Sequence, residues 1–156
     1  MRVEFLRANV AGELRSLMTF DKKVFGPDAF DRAMWQEMDA WWMVVDGVKA
    51  GCAAFEGDVG FDRHGEPVRE KGTLYIATTG VLPRLQGRGL GRLMKAWQVA
   101  WAQSHKYRRI VTNHRASNAG IIAMNKAFGF RRIGRIKGYY SAPDEDAISM
   151  ELVLRK

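Results

Sequence analysis

The chain has 156 residues, of which 47% are hydrophobic, and this length suits one domain over residues 1–156 with one core. Charged and apolar residues are mixed throughout, which argues against extended disorder, and no apolar stretch is long enough to span a membrane. The single cysteine, Cys52, excludes an internal disulfide and a thiolate zinc site, and the scattered histidines predict no metal. Because the N-terminus shows no targeting segment, we expect a cytoplasmic protein.

The formal net charge of +8 predicts a basic surface. Lysine and arginine concentrate in residues 84–106 and 108–137. Such a surface suits nucleic acid, an acidic protein or a polyanionic cofactor, and it equally suits a solvated face without a partner. No recognition-helix or RNA-binding motif accompanies the basic cluster at Arg131 and Arg132, so we expect nucleic acid not to be a partner.

The hydrophobic pattern predicts strands and helices in alternation, and hence a mixed α/β domain. Asp46-Gly47 is a strong hairpin signal, and Asp28, after Gly26-Pro27, is the predicted N-cap of the second helix. In chain order, the prediction is a strand at 2–8, helices at 11–25 and 28–38, strands at 41–45 and 48–55, a loop at 62–71, a strand at 73–81, a helix at 89–104, a strand at 109–113, a helix at 118–128, and strands at 130–136 and 147–154.

The helix at 89–104 has the most regular pattern in the chain. The spacing i, i+3, i+4, i+7 and i+11 predicts one apolar stripe along it. This stripe consists of Leu90, Leu93, Met94, Trp97 and Trp101, and the residues outside it include Lys95, Gln98 and Gln103.

A glycine-rich segment, Gln86-Gly87-Arg88-Gly89-Leu90-Gly91-Arg92, leads into this helix. Its glycines stand at alternate positions, where they let the backbone bend and let an anion approach closely. The first amides of a helix have no intrahelical acceptor and lie at the positive end of the helix dipole. Arg88 and Arg92 add positive charge. The segment therefore predicts a site for a pyrophosphate.

Two other phosphate-binding motifs fit this segment poorly. A P-loop needs a Gly-Lys-Ser/Thr ending, which is absent. A dinucleotide-binding motif needs its third glycine three residues after the second, whereas Gly91 follows Gly89 by two, and it needs an acidic residue about twenty positions on, where Arg108 and Arg109 stand. A glycine turn that only connects a strand to a helix is the remaining alternative.

Three motifs in the same order resemble the GNAT acetyltransferase superfamily. Its acetyl-coenzyme A signature resembles Gln86-x-x-Gly89-x-Gly91, and the chain's C-terminal part is similar to bacterial ribosomal-protein alanine N-acetyltransferases. The resemblance extends over residues 73–154, and its motifs are Gly80-Val81-Leu82-Pro83 before the signature, Arg115-Ala116-Ser117-Asn118, Ala127-Phe128-Gly129-Phe130, Tyr139-Tyr140 and Glu145-Asp146-Ala147-Ile148-Ser149-Met150.

The resemblance implies a GNAT-type fold with a mixed central sheet of about six to seven strands, splayed at the cofactor cleft and flanked by about four helices. It implies acetyl-CoA as co-substrate, with backbone groups bound to the pantetheine arm like an added strand and helix-start amides bound to the pyrophosphate. The implied cofactor-binding residues are Thr79, Gly80, Val81, Gln86, Gly87, Arg88, Gly89, Leu90, Gly91, Arg92 and Asn118. Asn118 is also suited to be an ordinary N-cap.

The positions that many relatives use for a general base and a general acid are asparagines here, Asn113 and Asn125. An asparagine does not titrate, although it can orient a carbonyl or a water molecule. Tyr139 and Tyr140 are therefore the candidate catalytic residues, because a phenol can protonate a thiolate; the alternative is a packing or acceptor-binding role. Glu56 and His114 are weaker base candidates.

The predicted function is transfer of the acetyl group of acetyl-CoA to a primary amine of a small molecule or a protein N-terminus. Two alternatives remain: an acetyl-CoA-binding module with little or no catalysis, which Asn113 and Asn125 favour, and a basic nucleic-acid-binding domain. We expect no membrane partner and allow for a homodimer.

Overall fold

The computed structural model describes residues 1–155 and has seven strands, four α-helices and two short 3₁₀ turns over these residues. The elements in chain order are β1 Val3–Arg7, α1 Val10–Phe25, α2 Arg32–Gln36, β2 Asp39–Val45, β3 Val48–Phe61, β4 Pro67–Val81, α3 Leu90–Ser104, β5 Arg109–Arg115, α4 Ala119–Ala127, β6 Arg131–Tyr140 and β7 Glu145–Val153, with the 3₁₀ turns at Gly26–Asp28 and Pro83–Leu85.

The seven strands form one sheet in the order β1-β2-β3-β4-β5-β7-β6. Strands β4 and β5 are parallel, with Thr73 opposite Arg109 and Tyr75 opposite Val111. The pairs β1–β2, β2–β3, β5–β7 and β6–β7 are antiparallel. This sheet confirms the prediction of a mixed α/β fold. The predicted hairpin at Asp46-Gly47 is also confirmed, since Val45 pairs with Val48.

The chain divides into two compact units. The first consists of Met1–Glu56 and Ala77–Lys95, and its core is formed where α1 packs on β2 and β3. Phe20 of α1 meets Trp42 of β2 edge-to-face at 5.5 Å. The buried members of this core are Ala8, Leu14, Leu17, Phe20, Trp35, Met38, Ala40, Trp42, Cys52 and Ala54.

A buried carboxylate fixes the connection between α1 and α2 in the first unit. Asp21 is buried in α1, and it accepts a hydrogen bond from the backbone nitrogen of Phe30 at 2.7 Å. Burial raises the pKa of Asp21 to about 6, since desolvation disfavours the charged form. Cys52 is also buried, and its burial and the Asp21 charge raise the pKa of its thiol. Cys52 is therefore a packing residue rather than a nucleophile.

The second unit consists of Gly57–Ile76 and the described residues from Ala96 onward. Its buried side chains include Ile110, Val111, Phe130, Ile148 and Met150. A network of charges crosses its sheet, in which Glu151 of β7 accepts hydrogen bonds from Arg109 at 2.8 Å and from Arg131 at 2.6 Å. The two guanidinium groups hold the pKa of Glu151 below its usual range, although burial opposes them.

The predicted loop at 62–71 was right for residues 62–66 and wrong for residues 67–71, which belong to a strand. Strand β3 continues to Phe61 and β4 begins at Pro67, so only a tight turn remains between them. Asp62 closes this turn by accepting hydrogen bonds from the backbone nitrogens of His64 and Glu66. The start of β4 is polar and mostly exposed, so its sequence carries no alternation of apolar and polar residues.

The second helix is shorter than predicted and has a different cap. It runs from Arg32 to Gln36, and Asp31, not Asp28, accepts a hydrogen bond from the backbone nitrogen of Met34 at 2.8 Å. Asp28 instead ends the 3₁₀ turn that Gly26 begins. Either aspartate is a suitable N-cap residue. Because the 3₁₀ turn occupies Gly26–Asp28, the helix starts later in the chain than predicted.

The buried face of α3 also differs from the predicted stripe. Lys95 and Gln98 have 0% exposure, whereas Leu93, a member of that stripe, is 36% exposed. The buried row contains Leu90, Met94, Gln98 and Ala102, which stand four residues apart. The predicted stripe was wrong here because it was chosen by apolar character. Lys95 and Gln98 were left out of it as polar residues, although both are buried.

Candidate functional site

The segment between β4 and α3 has the backbone shape that the sequence predicts. Gly87 and Gly89 have φ angles of +80° and +81°, which side-chain-bearing residues rarely adopt. No atom lies within 4 Å of a Cβ atom placed on either glycine. Residues 86–89 are exposed. The segment is thus an open turn with room for a ligand along its backbone.

The backbone nitrogens of this turn are unused donors. Over residues 1–155, the nitrogens of Gly87 to Arg92 donate no hydrogen bond, and the first bond at this helix start runs from the nitrogen of Leu93 to the oxygen of Gly89 at 3.2 Å. Leu90 is the first residue of α3, so these amides lie at the positive end of its dipole. Such a group of donors can bind a phosphate or diphosphate.

The turn is tied to the strand that precedes it. Nε2 of Gln86 donates to the backbone oxygen of Val81 at 2.9 Å, and the nitrogen of Leu82 donates to the oxygen of Ala50 at 2.9 Å. Val81 and Gly80 are buried. Gln86 therefore stabilises the turn through its side chain, a role that the sequence does not reveal.

Asn118 caps α4. Its Oδ1 accepts a hydrogen bond from the backbone nitrogen of Ile121 at 3.3 Å. This geometry agrees with the ordinary N-cap that the sequence allows, and the Asn118 side chain is exposed. Its assignment as a coenzyme contact stays a prediction.

Asn113 of β5 lies beside a pocket in the second unit. Its Oδ1 accepts a hydrogen bond from the hydroxyl of Ser149, its partner in the β5–β7 register, at 2.7 Å. Its Nδ2 is buried and donates to no atom of residues 1–155. The pocket has a volume of about 270 Å³ and is lined on other sides by Val111, Ile136 and Arg63. Asn113 can thus orient a polar group but cannot accept a proton at neutral pH.

Asn125 and His114 form a pair that the sequence does not predict. Nδ2 of Asn125 lies 2.7 Å from Nε2 of His114, and Asn125 is fully buried on α4. The two residues stand eleven positions apart, on α4 and β5. Hydrogen bonding to a buried amide fixes the orientation of the imidazole, so His114 is a constrained residue and not a free surface histidine.

The structure brings the two candidate tyrosines together at the end of β6. Their rings meet edge-to-face at 5.0 Å. Tyr140 is partly buried, and its hydroxyl donates to the backbone oxygen of Asn113 at 3.3 Å. Tyr139 is 37% exposed. Tyr140 is the more constrained of the two, and it lies beside Asn113.

Around Tyr140 lies an ionic network that sequence reasoning missed. The guanidinium carbon of Arg115 lies 4.8 Å from the centre of the Tyr140 ring, and Nη1 of Arg115 donates to Glu145 at 3.1 Å. Glu145 also accepts a hydrogen bond from the backbone nitrogen of Ser117 at 2.6 Å. Arg115 and Glu145 each belong to a motif that resembles the superfamily, and no other sequence signal relates the two residues.

Glu56, at the end of the first unit's β3 segment, is partly buried. Partial burial raises the pKa of Glu56, and the neighbouring Glu37 charge raises it further. A carboxylate with a raised pKa is better suited to accept a proton from an ammonium group than an exposed one.

Residues 12–130 match the model of the Acetyltransferase (GNAT) family, which is more than half of the chain. The chain belongs to this family. It is therefore an acyltransferase enzyme, and its family uses acetyl-CoA. No curated protein sequence matches it.

Solved structures with the same fold are distant in sequence. The ribosomal-protein-S18-alanine N-acetyltransferase of Escherichia coli is 17% identical, with a TM-score of 0.81 over 99% of this chain and 96% of that chain. Naa50 of Arabidopsis thaliana, in complex with the bisubstrate analogue CoA-Ac-MVNAL, is 18% identical, with a TM-score of 0.80 over 99% and 100%. NAA60 of the same plant, in complex with acetyl-CoA, is 18% identical, with a TM-score of 0.77 over 98% and 99%. These likenesses establish the GNAT fold.

No helix among residues 1–155 is long and apolar enough to cross a membrane. Over the same residues, no group of three or more His, Cys, Asp or Glu side chains is placed to hold a metal ion.

Proposed function

We propose that this GNAT enzyme transfers the acetyl group of acetyl-CoA to a primary amine of a small molecule or a protein N-terminus. The observation that carries the proposal is the open turn at 86–92, whose backbone nitrogens are free donors at a helix start. A diphosphate is the group that such a row of donors suits, and Arg88 and Arg92 add positive charge at its edge. In this proposal Thr79, Gly80 and Val81 bind the pantetheine arm, and Asn118 contacts the coenzyme.

In the proposed reaction the uncharged amine attacks the thioester carbonyl carbon, a C–N bond forms and the C–S bond breaks. The amine loses a proton, and the departing thiolate gains one. Glu56 is suited to accept the first proton, because burial raises its pKa. Tyr140 is suited to donate the second, with Tyr139 as the alternative donor. Asn113 and Asn125 orient neighbouring groups and carry no proton in this scheme.

A peptide N-terminus is the acceptor we place first. The S18-alanine acetyltransferase and Naa50 are both structural neighbours, and the second was solved with a peptide-bearing bisubstrate analogue. The partly buried pocket beside Asn113 offers space for part of an acceptor. A small amine is the second choice, since a volume of about 270 Å³ also suits a compact molecule.

The test combines coenzyme binding with turnover. Calorimetry would measure the affinity of the purified chain for acetyl-CoA, and thiol release would be followed with a panel of amines and of peptides with free N-termini. Acetylation of the amine in one member of the panel, seen by mass spectrometry, supports the proposal. Tight binding without turnover for every acceptor would favour the coenzyme-binding module, and absence of binding would refute both.

Tyrosine substitutions test the acid. We expect Tyr140→Phe to lower kcat by about a hundredfold or more, the range typical of a lost general acid, with little change in coenzyme affinity. Tyr139→Phe is the comparison variant, because the Tyr139 ring packs edge-to-face against Tyr140 and is more exposed. Near-wild-type rates for both variants would remove the tyrosines from the chemistry.

A further inference from the structure

Arg115, the last residue of β5, holds the turn between β6 and β7 through three hydrogen bonds. Its Nη1 donates to the backbone oxygen of Pro143 at 2.9 Å and to Oε1 of Glu145 at 3.1 Å, and its Nη2 donates to the backbone oxygen of Ser141 at 2.8 Å. One guanidinium therefore fixes both sides of this turn. Its planar fork of donors makes such a set of bonds possible.

Glu145 extends this contact to the beginning of α4. Its Oε2 accepts a hydrogen bond from the backbone nitrogen of Ser117, the residue before the cap Asn118, at 2.6 Å. The Ser117 hydrogen bond, with Arg115 nearby, holds the pKa of Glu145 below its usual range. The carboxylate is thus charged at neutral pH, and Arg115 and the start of α4 share it.

Tyr140 is held at both ends of its side chain by the same strand end. The Arg115 guanidinium lies over its ring, 4.8 Å from the ring centre, and its hydroxyl donates to the backbone oxygen of Asn113 at 3.3 Å. A cation over an aromatic face attracts the ring and restricts its movement. Arg115 therefore restrains the ring of Tyr140 and the turn that follows Tyr140.

We propose that Arg115 is a positioning residue for acetyl transfer, which holds the Tyr140 phenol in its reactive orientation through the bonds to Ser141, Pro143 and Glu145. This inference rests on the proposed function, in which Tyr140 protonates the departing thiolate. Lysine keeps the positive charge and has three donors, but all three lie on one nitrogen, so it lacks the planar fork that spans the acceptors on both sides of the turn. Arg115→Lys consequently separates geometry from charge.

A double-mutant cycle between Arg115 and Tyr140 tests the proposal by turnover. With acetyl-CoA and the best acceptor of the panel, we expect Arg115→Lys to lower kcat about tenfold or more, with unchanged coenzyme affinity by calorimetry. In a Tyr140→Phe background the same change should lower kcat by less than about threefold, because residues that act together are not additive. Arg132→Lys, on the exposed face of β6, is the matched control and should leave kcat unchanged.

Hydrogen exchange tests the same proposal without an acceptor. In the free enzyme, Arg115→Lys should speed exchange of the segment 139–146 and of the Ser117 amide relative to wild type and Arg132→Lys. Full additivity in the cycle, loss of coenzyme affinity in Arg115→Lys, or unchanged exchange would each overturn the positioning role. A wild-type enzyme that acetylates no acceptor instead counts against the proposed function, and the exchange result still decides whether Arg115 holds the turn.

Discussion

Two turns of this enzyme are built in opposite ways. The turn at 86–92 leaves six consecutive backbone nitrogens without an acceptor among residues 1–155. Gly87 and Gly89 have positive φ angles and carry no side chain that would cover these nitrogens. The turn between β6 and β7 has two of its carbonyl groups occupied, since Arg115 donates to Ser141 and Pro143. The first is suited to bind a ligand and the second to hold a side chain still.

The two turns are therefore stabilised in different ways. Unpaired backbone donors are tolerated only where solvent or a ligand reaches them, so the first turn is exposed and gains stability when an anion binds. The second turn has the carbonyl groups of Ser141 and Pro143 bonded within the protein, by Arg115. The predictions below test this contrast in order of expected effect.

The largest effect should follow from a side chain at Gly89. Gly89→Val forces a β-branched residue into a φ of +81°, at a strain of about 1–3 kcal/mol, or turns the amides away from the ligand. We expect the Kd for acetyl-CoA to rise about tenfold to a hundredfold by calorimetry. Gly134→Val is the matched control, because no atom lies within 4 Å of its Cβ position and its φ is ordinary. Equal affinities for the two variants would show that the turn does not bind the coenzyme.

The contrast between the turns also separates what the sequence could predict from what it could not. Glycine spacing and a helix start act within a few residues, so the donors at 86–92 were predictable from the chain alone. The bond from Arg115 to Glu145 joins residues thirty positions apart, and no local rule relates them. Asn125 and His114 were each noticed, but their pairing depends on how α4 packs on β5.

The fold likewise has parts that local sequence patterns predict and parts that depend on tertiary packing. Strong apolar periodicity placed α1 and most strands correctly, whereas the start of β4 was missed because its residues are polar and exposed. In α3, the amphipathic pattern located the helix but not its buried face, because Lys95 and Gln98 are buried there. Burial of polar side chains is decided by tertiary packing, which a single-sequence pattern does not contain.

Lys95 is buried in α3, the helix that follows the turn at 86–92. Replacing it should therefore change the stability of the helix without altering the turn. Burial lowers the pKa of Lys95 to about 7, from 10.5, since desolvation disfavours the charged amine. The folded state therefore binds fewer protons than the unfolded state between these values, and the free energy of unfolding should rise with pH from about 7 to 10.5. Lys95→Met should raise it by about 1–3 kcal/mol at pH 7 and reduce the slope.

Chemical denaturation at several pH values measures this effect, and calorimetry measures coenzyme affinity alongside it. Lys126→Met, at an exposed position of α4, is the control and should change neither quantity. If the turn amides alone bind the diphosphate, the Lys95→Met enzyme keeps its Kd for acetyl-CoA. A weakened Kd would mean that the amine of Lys95 also acts on the coenzyme.

The arginines of the first turn should have smaller, additive effects. Arg88 and Arg92 are exposed, and an exposed charge contributes about 0.2–1 kcal/mol to a contact. We expect Arg88→Gln and Arg92→Gln each to raise the Kd for acetyl-CoA up to about fivefold, and to reduce its dependence on salt. Arg132→Gln, far along the sequence and equally exposed, is the control. A loss as large as that of Gly89→Val would mean that side chains, not amides, dominate binding.

The smallest expected effect is a difference between the two turns in how their backbone amides respond to pH. The backbone nitrogens of Ser117 and Gly138 donate to Glu145 and Asp146, at 2.6 Å and 2.9 Å. The hydrogen bond from Ser117 holds the pKa of Glu145 below its usual range, and the hydrogen bond from Arg135 does the same for the pKa of Asp146. Groups with lowered pKa values stabilise the fold above their unfolded values and lose that contribution as the pH falls through the folded ones.

Amide chemical shifts measured by NMR between pH 6 and pH 3 follow this loss residue by residue. The Ser117 and Gly138 amides should each shift with a midpoint below the usual range of the carboxylate they face, since protonation removes its charge. The amides of Gly87 and Gly89 donate no hydrogen bond within residues 1–155 and should stay constant over the same range. Titration of the glycine amides together with Ser117 would mean that the free donors of the first turn sense the same carboxylates, and the contrast between an open and a closed turn would then be lost.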